Sequence, residues 1–175
     1  THGQISMIDV ITHVLDCLGP SRVSVWTWTI ATYEAGVFRG FMADGRVVAG
    51  RLVVDANIKA KTASGSRNGT VDDPDSVGAR IVGEWGRQFG EGSVRLVRNH
   101  AKIATVEGGG MKVLIRGSMN LNFNPRLEQF DLTEGGVDFD LVRQLEGELE
   151  ALEIKPQAMQ PPAVSGFPGV SMWKP

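Results

Sequence analysis

The stretch Arg22-Val-Ser-Val-Trp-Thr-Trp-Thr-Ile30 decides the architecture. Its β-branched and aromatic residues alternate with polar ones, the period-two pattern of a strand. On its N-terminal side, Ile8, Ile11, Val14, Leu15 and Leu18 recur at helical spacing within residues 5–18, and Gly19-Pro20 stops the run. On its C-terminal side, residues 33–43 read as a short helix ended by Asp44-Gly45. Residues 46–54 then read as a buried apolar strand with Asp55 at its end. Helix, strand, helix, strand in that order predicts an α/β layer with parallel pairing, because parallel strands need a crossover between them.

Working outward, residues 59–76 are polar and rich in turn formers, the pattern of a long loop. Ser76 can cap a helix running to about residue 89, with Val77, Ile81 and Trp85 at four-residue spacing. Three strand-like runs follow at 93–97, 101–106 and 112–115, with Glu107-Gly-Gly-Gly110 as the turn between the last two. Residues 120–125 look loop-like, and Pro125 can open a short helix. Gly135-Gly136 precedes an acidic helix whose expected apolar face is Phe139, Leu141, Val142, Leu145, Leu149 and Leu152. Residues 1–154 thus form one domain. Residues 155–175 hold five of the eight prolines and read as a tail, flexible or extended and docking.

Of the 175 residues, 42% are hydrophobic and 22% charged, enough for a buried core and too apolar for wholesale disorder. The single Cys17 excludes an internal disulfide framework and a Cys-cluster zinc site; with only three histidines, an all-histidine metal site is nearly excluded too. No metal and no cofactor is expected. No run of 18 apolar residues occurs, so no membrane span is expected. No signal-peptide pattern is visible; a cytoplasmic location is favoured and processed export stays open. The net charge of −2 argues against a generic polyanion binder, yet it conceals an asymmetry. Residues 87–126 carry seven basic side chains against two acidic ones, and residues 127–153 carry nine acids against Arg143 alone. Either the basic segment faces an anion, or basic strands simply pair with the acidic helix.

The chemistry-bearing residues are His100-Ala-Lys102, Gly117-Ser118-Met119-Asn120 and Glu128. Placed on a strand, His100 and Lys102 share a face, and a hairpin through the glycines returns Ser118 and Asn120 beside them. An imidazole, an ammonium, a hydroxyl and a carboxamide at one sheet edge suit a phosphodiester. Lys102 supplies a point charge for a non-bridging oxygen, and Ser118 and Asn120 supply neutral donors. His100 can attack phosphorus or move protons near neutral pH. Glu128 can hold the other ring nitrogen, a role Asp131 or Glu134 could also take.

His-x-Lys followed by Gly-Ser-x-Asn resembles the signature of the phospholipase D superfamily, and the order of elements across residues 5–153 is similar to its small single-motif bacterial nucleases. The family aspartate position holds Glu107, and the spacing from there to Gly117 is longer than the family's usual one. The resemblance implies a mixed β-sheet flanked by helices, and a homodimer in which two copies of the motif build one metal-independent site. It makes His100 the nucleophile that forms a phosphohistidine and His100 of the second copy the general acid. Lys102 and Asn120 would hold the phosphate, Ser118 would support it, and Glu128 would orient His100. The implied activity is a nuclease, with DNA favoured over RNA.

Lys59 and Lys61 in the polar loop, with Arg67, and Arg116 on the hairpin are candidate contacts to a nucleic-acid backbone, although a solvated loop is the plainer reading of the first three. Two alternatives stay open: a non-catalytic nucleic-acid- or protein-binding module of the same fold, and a phospholipase. Phe167, Met172 and Trp173 make the tail a candidate docking segment for a protein partner. Trp26 and Trp28 share a strand face and read as packing rather than as a base-stacking platform. His13, on the apolar stripe of the first helix, reads as structural.

Overall fold

The computed structural model describes residues 4–56, 77–122 and 127–149. The expectations for Lys59, Lys61, Arg67, Ser76, Pro125 and the tail lie outside these residues.

Helix α1 (Met7–Leu18) begins at a capping box. The Ser6 hydroxyl accepts from the Asp9 backbone N–H while the Asp9 carboxylate accepts from the Ser6 N–H at 2.8 Å. It ends at Gly19, whose φ of 74° few other residues adopt. Strand β1 (Ser21–Thr27), helix α2 (Thr32–Ala43) and strand β2 (Val47–Asp55) follow, then α3 (Val77–Phe89) and β3 (Val94–Val97). β1, β2 and β3 are parallel neighbours, with α2 and α3 as the crossovers. β4 (Ile103–Gly108), β5 (Met111–Gly117) and β6 (Phe130–Glu134) are antiparallel, and β4 joins the parallel half by pairing with β1. The result is one mixed six-stranded sheet in the order β3-β2-β1-β4-β5-β6. The β4–β5 turn is Gly109-Gly110, with φ of 57° and 80°, the two left-handed positions that a tight hairpin requires.

Strand alternation gives the sheet two unlike faces. On one, Val23, Val25, Leu52, Val54, Ala104, Val106 and Ile115 meet α1, α2 and α3 in the main core. Gly50 lies under this layer, and a β-carbon there would sit 2.6 Å from the Trp85 ring and 2.7 Å from that of Phe89. On the other face, α4 (Gly136–Glu148) covers Leu114, with Trp26 and Ile103 packed beside it.

Two expectations need correcting here, and one strand is additional to them. The face α4 turns to the sheet is Phe139, Val142 and the fully buried Glu146, while Leu141 and Leu145 are 53% and 43% exposed. An acid inside that face is not visible in hydropathy. Glu146 is tolerated because the Ser24 hydroxyl, the Trp26 indole N–H at 2.7 Å and the Arg143 guanidinium at 2.6 Å all donate to it. His13 is exposed rather than packed, its Nε2 lying 3.9 Å from the Cys17 sulfur one turn away. Strand β6 was not foreseen, although Phe130-Asp131-Leu132-Thr133 alternates as a strand should.

Candidate phosphate-binding site

Two short segments at the same end of the sheet build the site. The first enters β4: His100 and Lys102 precede the strand by a few residues instead of lying on it. What orders them is Asn99, which is buried. Its carboxamide NH2 donates to the Thr27 and Val53 carbonyls at 3.2 and 3.3 Å, closing the ends of β1 and β2. Its side-chain oxygen accepts from the Ala101 N–H at 2.8 Å, and its own N–H donates to Asp55 at 3.0 Å. Sequence reasoning passed over Asn99; the available signal was a turn-forming residue directly before the histidine, following a strand.

The second segment leaves β5. The Gly117 N–H donates to the Lys102 carbonyl at 3.1 Å, so the two segments lie side by side as the hairpin reading expects. Beyond it, Met119 and Leu121 are buried, which turns the alternating Ser118 and Asn120 outward. Leu121 is also stitched to the end of β1, its N–H donating to the Thr27 hydroxyl at 3.3 Å and its carbonyl accepting from Ala31 at 2.8 Å. Gly117 must be glycine because the β6 approach runs directly over it: a β-carbon would overlap the Gln129 carbonyl and stand 3.1 Å from Phe130 Cα.

Within this frame Lys102 is only 8% exposed. Its ammonium donates to the His100 carbonyl and stands 3.0 Å from His100 Nδ1. Burial holds the Lys102 pKa below its ordinary value, partly offset by the nearby Glu128 carboxylate. A protonated Lys102 can only donate, so Nδ1 is the acceptor and a neutral ring then carries its proton on Nε2. His100 itself is exposed and packs against Trp28, with ring centroids 5.5 Å apart and planes tilted by 51°. Asn120 accepts from the Trp28 backbone N–H at 3.3 Å. That donor identifies the facing atom as oxygen, so the carboxamide NH2 is what Asn120 offers an anion.

Ser118 and Glu128 are bonded to each other. The Ser118 hydroxyl donates to Glu128 and accepts from the Gln129 N–H at 3.2 Å, while the Ser118 N–H donates to the Gln129 carbonyl at 3.1 Å. Ser118 thus spends its proton on fixing Glu128 rather than offering it to an anion. Glu128 in turn favours the charged form of Lys102, against the larger effect of burial. Of the alternative acids, Asp131 stands across from Arg116 and Glu134 lies toward the far end of β6; both are exposed.

The basic hairpin is partly neutralised. Lys112 pairs with Asp140 at 2.8 Å and Arg116 with Asp138 at 2.9 Å, so these strand cations meet the acidic helix as the plainer charge reading expects. Glu107 pairs in register with Lys112 and Arg22, at the end of β4 remote from His100. Among the described residues, no group of three or more His, Cys, Asp or Glu side chains is placed to hold a metal ion. No described helix is long and apolar enough to cross a membrane.

Trp28 is the other residue whose place was missed. It lies one residue past the end of β1, with its ring against that of His100 and its backbone N–H bonded to Asn120. No protein-family model matches this chain, and no curated protein is a significant match.

Proposed function

We propose that this protein is a metal-independent phosphodiesterase of the phospholipase D kind, acting on nucleic acid as a homodimer. The observation that carries the reading is the His100–Lys102 pair: a buried ammonium 3.0 Å from an exposed imidazole, beside the outward-facing Asn120. A buried cation next to an exposed imidazole gains from an incoming anion, because a phosphate oxygen replaces the solvation it lacks. Lys102 and the Asn120 NH2 suit the two non-bridging oxygens, and neither needs a metal to act.

In the proposed reaction Lys102 moves from Nδ1 to a phosphate oxygen. The ring proton then resides on Nδ1, freeing the Nε2 lone pair. Nε2 bonds to phosphorus, the ester P–O bond breaks, and the leaving oxygen takes a proton from His100 of a second copy. Water then attacks the phosphohistidine, gives its proton to that second imidazole, and releases the phosphate monoester. The open position of His100 fits a site completed by another subunit. So does the exposed stripe Val137, Leu141 and Leu145 along α4, 82%, 53% and 43% accessible.

The test is cleavage of single- and double-stranded DNA, RNA and bis(p-nitrophenyl) phosphate in excess EDTA. Turnover should persist with the chelator and fall by about 1,000-fold or more in His100→Ala. Cleavage that needs added metal, or that survives without His100, would refute the mechanism. The Nδ1 contact with Lys102 favours one competing reading, a binding module whose imidazole never attacks. Nucleic-acid affinity without turnover in the intact chain would support that one.

A further inference from the structure

The three tryptophans among the described residues are not equivalent. Trp85 is 1% exposed inside the main core. Trp26 is half-buried under α4 and commits its indole N–H to Glu146. Trp28 is 38% exposed, lies just past the end of β1, and touches the imidazole proposed to meet phosphorus. Two devices hold it there. Its backbone N–H is bound by Asn120, itself fixed between the buried Met119 and Leu121, and the neighbouring Thr27 is bonded to Leu121. Among the described residues Trp28 belongs to neither hydrophobic cluster, and the exposed part of its indole costs hydration.

We infer that Trp28 is a stacking platform for a nucleobase adjacent to the scissile phosphate, so that the preferred substrate is a strand whose bases are free to leave the stack, a single-stranded nucleic acid. The inference rests on the phosphodiesterase reading for the phosphate and adds the base. A phosphate held by Lys102 and Asn120 leaves its flanking nucleosides one sugar away, within reach of a ring in contact with His100. A duplex presents backbone and groove edges to such a ring, whereas an unpaired strand presents base faces. Stacking on an aromatic side chain is tolerant of base identity, so the platform selects strand state rather than sequence.

The experiment compares a fluorescent thymidine oligonucleotide, the same length of base-free tetrahydrofuran strand, and a matched duplex. Binding is measured by anisotropy in the His100→Ala chain with EDTA present, so that cleavage does not intervene. The base-bearing strand should bind tighter than the base-free one. Adding Trp28→Ala should cut that preference by about 5- to 100-fold, while Trp28→Phe keeps most of it. A base-bearing to base-free ratio unmoved by Trp28→Ala overturns the inference, as does equal affinity for duplex and single strand in the parent. Cleavage of the same three substrates by the wild-type chain tests the phosphodiesterase reading separately: failure there with the binding ratio intact sinks the chemistry and leaves the platform standing.

Discussion

Asn99 donates its backbone N–H to the carboxylate of Asp55 at 3.0 Å, tying the segment that carries His100 and Lys102 to the end of β2. With its side-chain bonds to Thr27, Val53 and Ala101, one buried amide joins the ends of β1 and β2 to the segment before β4. Asn99→Ala should cost about 1–3 kcal/mol in a urea melt, since it orphans buried carbonyls. If Asn99 positions the imidazole, kcat should fall more than KM changes, and the pH profile of kcat should shift. A melt that softens with kinetics unchanged would make Asn99 purely structural.

Gly117 and Gly50 form a matched pair. Each is closely overlain, Gly117 by the backbone before β6 and Gly50 by the rings of Trp85 and Phe89. Alanine at either should destabilise by about 1–3 kcal/mol through overpacking. Only Gly117→Ala should displace Gln129 and Glu128 from Ser118, so it alone should reduce turnover at a temperature where both variants remain folded.

Lys102 carries a stability cost that depends on pH. Its folded-state pKa lies below the ordinary value of 10.5, because burial penalises the ammonium. Between the folded and unfolded pKa values the unfolded chain binds more protons, so this residue's contribution becomes more favourable as pH rises through that window. Below the window the penalty is fully present. Lys102→Met should therefore raise Tm at neutral pH, with the gain shrinking as pH approaches 10.5, while phosphodiester cleavage is lost. A Met variant less stable at pH 7 would show that the contacts with His100 outweigh the desolvation.

The outward stripe of α4 should matter to assembly. Leu141→Glu combined with Leu145→Lys puts charge on two exposed apolar positions without touching Phe139, Val142 or Glu146. If a second copy covers this stripe, sedimentation should show monomers where the parent forms dimers, and turnover should fall by about 100-fold or more for want of the second imidazole. A parent that is monomeric at every concentration and still turns over would sink the two-copy mechanism.

Helix and strand identity in the first half was legible because apolar periodicity is punctuated at its ends: Gly19-Pro20 closes α1 and Asp44-Gly45 closes α2. The grouping of His100, Lys102, Ser118 and Asn120 was legible because a two-glycine hairpin brings its ends together whatever lies between. Three features were not. The role of Asn99 depends on carbonyls from two distant strands, which no local pattern encodes. Glu146 in a helix face takes two of its donors from more than a hundred residues away in sequence, beside the local Arg143. The partners of Ser118 and Glu128 depend on β6 pairing with β5, an edge strand whose alternation is short and mostly exposed.

The β4–β5 hairpin has a further consequence for how the protein acquires its chemistry. Both halves of the motif hang from the open end of one local unit whose closed end is Gly109-Gly110, so their meeting requires closing only a short loop. The parallel half of the sheet must wait for two crossovers of much greater span. In a complete chain that refolds, loop closure alone thus favours bringing the two segments of the motif together ahead of the parallel pairings. What later docking adds is rigidity, through the clasp on Asn99.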